Sequence, residues 1–186
     1  MSTADKHQFT ITEVEKMYQH EILSHDERIE LIDGELYVMS PKNPPHFITQ
    51  RNLFNFFFKH LAEKDYLVDR EIPIDISRNS MPEPDLIIAY QREGLQRDEY
   101  VQVPDVVLLV EVSDATLSRD LESKKELYAR ADIPVYWVIN IPQQQVHIFS
   151  DLYKGDYGTA VSYKKGPFQA LPFDFPITFD DIFPKI

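Results

Sequence analysis

The chain has 186 residues and a formal net charge of −12, from 31 acidic and 19 basic side chains. That length suits one domain with a substantial core and is too short for two ordinary domains, so we expect residues 1–186 to form a single domain. The acidity excludes a tight, non-specific nucleic-acid binder, because long-range attraction to phosphates is absent or reversed. The absence of cysteine excludes disulfides and thiolate zinc sites.

Membrane and export signals are missing from the sequence. No apolar stretch approaches the roughly 20 residues of a membrane-spanning helix. The first residues, MSTADKHQFTITEVEK, lack the basic-then-apolar order of a signal peptide. We therefore expect a cytoplasmic protein with no membrane partner.

The first third of the chain predicts a short helix, a hairpin and a long helix. Residues 12–15 have the pattern of a capping box, which indicates a helix to about Glu21. Residues 28–40 alternate apolar and polar side chains around Asp33-Gly34, a pair preferred in tight hairpin turns. Residues 46–63 then carry phenylalanine and leucine on a broad helical face. Helical spacing makes this face part of the core rather than a platform for stacking bases.

The middle of the chain predicts three strands, a helix and a fourth strand. The three strand sequences are YLVDREIPIDIS, PEPDLIIAY and VPDVVLLVEVS, and the fourth strand contains Trp137. With the long helix before them they give the order helix-strand-strand-strand-helix-strand, in a core of about residues 46–141. A right-handed crossover would place the Trp137 strand parallel to its neighbour in the sheet.

The expected fold class is therefore α/β (α+β), with the first helix and hairpin before the core. Short antiparallel strands follow the core and form a C-terminal β extension. The charged segment 91–102 is predicted to be a mobile insertion between two strands.

Two carboxylates lie beside apolar runs. Asp85 precedes Leu86–Ala89, and Glu111 follows Val106–Val110. An unpaired charge next to such buried segments costs several kcal/mol, and a bound cation removes that cost. Taken singly, each residue is more often a strand cap or a side chain that reaches water. As a pair, they indicate a divalent-metal site.

A lysine on the following helix strengthens this interpretation. Lys124 lies four residues after Asp120 and four before Tyr128, so the three share one side of the helix. An ammonium group can therefore approach the two carboxylates from the helix that packs over them. The alternative is a solvated helix charge.

At this point the chain resembles the PD-(D/E)XK superfamily of restriction-endonuclease-like nucleases. More narrowly, the phrases ELIDGELYVMSP, PPH, PEPDLII, VEVSD and RDLESKKELYARADIPVYWV are similar to the Uma-type endonuclease family of bacteria, formerly a domain of unknown function. The resemblance runs from about Glu30 to Ile141. It implies a restriction-endonuclease-like core and a nuclease activity.

The chain departs from the superfamily pattern at one position. The lysine expected two residues after Glu111 is replaced by Ser113. The resemblance implies that Lys124 takes over its role from the helix, with Lys125 as an out-of-register neighbour.

Two further residues match phrases of the family. Glu30 opens the hairpin phrase and is a candidate third carboxylate; its alternative is an exposed hairpin glutamate. His46 ends the PPH phrase, and its alternative is an ordinary residue at a helix start.

The expected reaction is metal-assisted hydrolysis of a phosphodiester, with nucleic acid as partner and DNA favoured. The carboxylates of Asp85 and Glu111, with the main-chain carbonyl of Val112, supply the oxygen ligands that Mg²⁺ or Mn²⁺ prefers. The metal-bound water is the expected nucleophile, and Lys124 orients it and offsets charge on phosphorus. Glu30 or His46 assists with proton transfer.

Two alternatives stay open. One is a catalytically inactive nuclease-fold module that binds protein or nucleic acid, with a homodimer formed through its aromatic surface. The net charge favours this alternative. The other is a small-molecule phosphodiester hydrolase that uses the same metal.

Overall fold

The computed structural model describes residues 6–39, 41–92 and 101–184. The helices are α1 (Ile11–Gln19), α2 (Pro44–Leu61), α3 (Leu117–Arg119) and α4 (Lys125–Arg130), with a π-helical segment (Asp120–Lys124) between the last two. The strands are β1 (Ile29–Ile32), β2 (Glu35–Val38), β3 (Tyr66–Asp69), β4 (Ile74–Asp75), β5 (Leu86–Tyr90), β6 (Val101–Gln102), β7 (Val106–Ser113), β8 (Tyr136–Asn140), β9 (Gln145–Tyr153), β10 (Asp156–Tyr163), β11 (Phe168–Gln169) and β12 (Pro176–Ile177).

A six-stranded mixed sheet forms the centre of the molecule, in the order β10-β9-β8-β7-β5-β3. β7 and β8 are parallel, and the other neighbours in the sheet are antiparallel. The chain passes from β7 to β8 through α3, the π-helical segment and α4. The predicted element order and the parallel placement of the Trp137 strand are both confirmed. β9 and β10 have nine and eight residues, so the C-terminal extension continues the main sheet rather than adding only short strands.

Both faces of the sheet are covered. On one face α2 places Leu53 and Phe57 against Trp137, and on the other α4 places Leu127 and Tyr128 against the sheet. All eight residues of β7 are buried. A strand buried on both faces needs apolar side chains at successive positions, which is why its sequence is a continuous run of valine and leucine.

The N-terminal elements differ in detail from the predicted ones. The capping box of α1 is formed by Thr10 and Glu13, not by residues 12–15, because the Thr10 side chain accepts from the Glu13 N–H and the Glu13 carboxylate returns to Thr10. α2 begins at Pro44, two residues earlier than predicted, with Asn43 as its N-cap.

The predicted hairpin is confirmed as β1 and β2. Its turn residues Asp33 and Gly34 have φ values of +48° and +78°. Both lie in the left-handed region that an Asp-Gly hairpin turn requires. The Cβ of Gln8 would lie 2.5 Å from a Cβ at position 34, so this position also needs glycine for space.

Most of the predicted insertion at 91–102 lies outside the described residues. Within the described ranges, no helix is both long and apolar enough to cross a membrane.

The packing of α2 gives a test with a matched control. Phe57 is fully buried and its ring lies 5.8 Å from that of Trp137, whereas Phe58 is 54% exposed. Phe57→Ala should lower the free energy of unfolding by about 3–5 kcal/mol, because it removes buried contacts and leaves a cavity. Phe58→Ala should change it by no more than about 0.5 kcal/mol. Urea unfolding measures both, and equal losses would contradict the described packing of α2.

Candidate functional site

The sheet register brings the two predicted carboxylates together. Asp85 directly precedes β5, and Glu111 lies near the end of the antiparallel strand β7. Leu86 pairs with Val110 in that register, so Asp85 and Glu111 lie at the same end of the sheet. They are 5% and 4% exposed.

The Asp85 carboxylate is surrounded by donors. Its Oδ1 accepts a hydrogen bond from Lys42 Nζ at 2.6 Å. Its Oδ2 accepts from the main-chain N–H of Val112 at 2.8 Å and lies 3.2 Å from His46 Nε2. Burial raises the pKa of Asp85, but His46 and Lys42 together lower it by more than burial raises it. The net pKa is about 2. Asp85 is therefore ionised at neutral pH.

Three neighbours of Asp85 were not predicted as site residues. Lys42 also contacts the Glu71 carboxylate, and Gln50 Nε2 donates to the Asp85 main-chain oxygen at 2.9 Å. Gln50 is one helical turn after His46, so helical spacing could have identified it. Lys42 and Glu71 carry no such signal, because they lie in irregular segments and are far apart in sequence.

Glu111 belongs to a second buried group of charges. Its Oε1 accepts from Lys124 Nζ at 2.8 Å and from the Tyr128 hydroxyl at 2.9 Å. Lys124 Nζ also lies 2.7 Å from Glu30 Oε1. Glu30 and Lys124 are each 1% exposed. Residues from β1, β7, the π-helical segment and α4 therefore meet at one point.

The π-helical segment fixes the direction of the lysine. At its start, the Asp120 carboxylate accepts from the hydroxyls of Ser113 and Thr116, each at 2.7 Å. At its end, Lys124 points inward to Glu111. Ser113 thus anchors the segment that carries Lys124.

Lys125 faces away from the carboxylates. Its Nζ lies 3.4 Å from Asp156 on β10, and its side chain is 26% exposed. The prediction that only one of the two adjacent lysines reaches the carboxylates agrees with this geometry.

The charges around Glu111 do not balance. Burial raises the pKa of Glu111, Lys124 lowers it, and Asp120, Asp85 and Glu30 raise it again, so that the net pKa is about 8. Burial lowers the pKa of Lys124, but Glu111, Glu30 and Asp120 raise it more, so the net pKa lies above its ordinary value. Lys124 is therefore charged, and the carboxylates around it outnumber it.

A cleft of about 100 Å³ opens beside these residues. Its wall includes the candidates Asp85, Glu111, Val112, Lys124 and His46, together with Lys42, Arg119 and Asp120. Glu30 does not line the cleft. It reaches the cleft through Lys124, and its Oε2 is buried with no hydrogen-bond partner in the described part of the chain.

The donors in the cleft fit a hard divalent cation. Among the described residues, no group of three or more His, Asp and Glu side chains could hold a metal ion. The available set is two carboxylates, Asp85 and Glu111, and Val112 lines the same wall. Oxygen donors suit Mg²⁺ and Mn²⁺, and the excess negative charge near Glu111 favours a cation. Both Asp85 oxygens accept hydrogen bonds, so a metal held by Asp85 would compete with a donor such as Lys42.

Comparison with known proteins identifies the family. Residues 13–180 match the sequence profile of the Uma2 family, described as "Putative restriction endonuclease". The chain belongs to the Uma2 family. A search of the curated proteins finds no significant match.

A solved structure supports the fold. The crystal structure of a putative nuclease belonging to DUF820 from Anabaena variabilis superimposes with a TM-score of 0.72. The match covers 94% of this chain and 97% of that chain at 13% identity, a level at which likeness shows the fold alone. The predicted restriction-endonuclease-like fold is confirmed, and family membership indicates a nuclease.

Replacing each of the two carboxylates by its amide should have opposite effects on the free energy of unfolding in the presence of chelator. The contribution of Glu111 to stability is complete below pH 4.5 and is lost as the pH rises through about 8, because its folded pKa is raised. Glu111→Gln should therefore be at least as stable as the parent above about pH 8. The contribution of Asp85 is present above pH 3.8 and is lost as the pH falls through about 2.

Asp85→Asn should accordingly lower the free energy of unfolding at neutral pH by about 2 kcal/mol. Urea unfolding in EDTA at about pH 5 and about pH 9 measures both variants against the parent. Losses of the same size in both variants at the higher pH would contradict the described charge distribution.

Proposed function

We propose that this Uma2 protein is a divalent-metal-dependent endonuclease that hydrolyses phosphodiester bonds of nucleic acid, with DNA as the favoured substrate. The observation that carries the proposal is the convergence of Asp85, Glu111 and Lys124 on one cleft from three separate elements. Membership of a family described as restriction endonucleases supports it.

The metal would be Mg²⁺ or Mn²⁺, held by Asp85, Glu111 and the carbonyl of Val112. When bound, the ion supplies Lewis-acid chemistry and an activated water. In the absence of metal, Lys42 compensates the charge of Asp85. The carboxylate can therefore stay ionised for metal binding without being an unpaired buried charge.

Lys124 supplies a fixed positive charge at the phosphate. Its ammonium is held between Glu30 and Glu111 and faces the cleft, so little reorganisation is needed as negative charge develops on phosphorus. Glu30 acts through Lys124 and is a positioning residue. Burial raises the pKa of Tyr128 well above its ordinary value, so its hydroxyl stays protonated and donates to Glu111.

His46 lies where it can move a proton. Its Nε2 is 3.2 Å from Asp85 Oδ2 in the cleft, and its Nδ1 has no hydrogen-bond partner in the described part of the chain. We assign it to orienting Asp85 and to proton transfer to or from the cleft.

Cationic side chains in the cleft offer contacts to substrate phosphates even though the protein is acidic. Lys42, Arg119 and Lys124 line the cleft beside Asp85, Glu111, Asp114 and Asp120, although the whole chain carries a charge of −12. These charges act over a Debye length of about 8 Å at physiological salt. Binding and cleavage should therefore weaken steeply as salt rises.

The two adjacent lysines test the mechanism. Lys124→Ala should lower cleavage by orders of magnitude, because it removes the charge held at the cleft. Lys125→Ala, which changes the same residue type one position away, should retain cleavage and alter mainly nucleic-acid affinity. The assay uses supercoiled, linear and single-stranded DNA and RNA, each with Mg²⁺, Mn²⁺ or EDTA.

A further variant separates chemistry from folding. Removing one partner of a buried ion pair costs about 3–5 kcal/mol, so Lys124→Ala is first checked for folding by circular dichroism. Glu111→Gln, expected to be at least as stable as the parent above about pH 8 in chelator, should also abolish cleavage. Cleavage in EDTA, or equal loss from both lysine variants, would contradict the mechanism. A folded parent that cuts none of the substrates would favour an inactive module or a small-molecule hydrolase.

A further inference from the structure

One cationic side chain in the cleft has no carboxylate partner among the described residues. Lys42 forms an ion pair with Asp85, and Lys124 forms one with Glu111. His46 Nε2 lies 3.2 Å from Asp85 Oδ2. Arg119 lines the same cleft and forms no ion pair within the described part of the chain. Its charge is therefore available to an anionic ligand.

Arg119 is held by an aromatic ring. It is the last residue of α3, and the carbon at the centre of its guanidinium lies 5.4 Å from the centre of the Tyr37 ring on β2. Its Nε is buried and has no hydrogen-bond partner among the residues that the structure describes. An unpaired buried donor raises the free energy of the molecule, and a ligand oxygen would satisfy it.

The hairpin of β1 and β2 contacts both Lys124 and Arg119. Glu30 on β1 is directly opposite Tyr37 on β2 in the strand register, so the two side chains project from the same face of the hairpin. Glu30 contacts Lys124, and Tyr37 contacts Arg119. The Tyr37 hydroxyl donates to Glu35 at 2.8 Å, which restrains the ring.

We propose that Arg119, stacked on Tyr37, binds a backbone phosphate of the nucleic acid that enters the cleft. A guanidinium matches two phosphate oxygens at once, and contact with an aromatic face leaves its N–H groups free to donate. The arginine binds and places the strand, whereas Lys124 acts at the reacting phosphate. This assignment rests on the proposed nuclease function, because a phosphate ligand follows from a nucleic-acid substrate.

Binding without cleavage tests the assignment. Fluorescence anisotropy with labelled single-stranded and duplex DNA and with RNA, in EDTA, gives affinity as a function of salt. Arg119→Ala should weaken binding about tenfold and reduce the slope of log affinity against log salt by about 0.9 for duplex DNA. Arg119→Lys should retain the slope but bind more weakly than the parent, since a point charge replaces the planar group.

Matched controls separate the phosphate contact from general effects of charge. Arg78→Ala removes the same charge from a different depression, beside Asp75, and should leave affinity and slope unchanged. Tyr37→Phe keeps the ring and should bind like the parent, whereas Tyr37→Ala should weaken binding in the same direction as Arg119→Ala. Thermal unfolding of every variant excludes loss of the fold as the cause.

Each outcome bears on the assignment. Parent-like affinity and slope for Arg119→Ala, or equal effects of Arg119→Ala and Arg78→Ala, would overturn it and leave the nuclease proposal standing. A folded parent that binds none of the nucleic acids would overturn both.

Discussion

The Lys124 ammonium between Glu30 and Glu111 is the interaction on which the arrangement of the site depends. All three side chains are almost fully buried, since the most exposed of them, that of Glu111, is 5% exposed. A charge in this position is tolerated only while its partners stay within hydrogen-bond distance, and loss of one partner costs about 3–5 kcal/mol. The hairpin, the central strand and the π-helical segment are therefore held at fixed separations. The same constraint that stabilises the fold places an ammonium at the cleft.

The carboxylates at the two ends of the cleft, Asp85 and Glu111, have different electrostatic surroundings. At one end Asp85 is ionised, because Lys42 and His46 compensate it. At the other end burial raises the pKa of Glu111, and the neighbouring carboxylates of Asp120, Asp85 and Glu30 add to the increase that Lys124 opposes. A divalent cation would supply the missing positive charge, and the uncommitted Arg119 would supply a contact for an anionic substrate. An acidic protein could thus offer positive charge to an anionic substrate at this cleft.

The sequence predicts those parts of the fold and site that have a local pattern. The apolar runs beside Asp85 and Glu111 indicated buried strands, and helical spacing indicated that Lys124 and not Lys125 turns inward. Lys42 was missed because its contacts with Asp85 and Glu71 depend on tertiary packing, which leaves no periodic signal. The π-helical turn at Asp120–Lys124 was also missed, since it depends on hydrogen bonds from Ser113 and Thr116 to Asp120. Asp120 and Lys124 still share one side, so the error in helix type did not affect the prediction for the lysine.

Anomalous diffraction from crystals grown with Mn²⁺ tests the central claim most directly, because it locates the ion without relying on activity. The account predicts one Mn²⁺ peak in the cleft, coordinated by the carboxylates of Asp85 and Glu111 and the carbonyl of Val112. Lys124 should remain on Glu30, and Lys42 should no longer contact Asp85 Oδ1. A cleft without a Mn²⁺ peak at saturating metal, with Lys42 still bound to Asp85, would contradict the account.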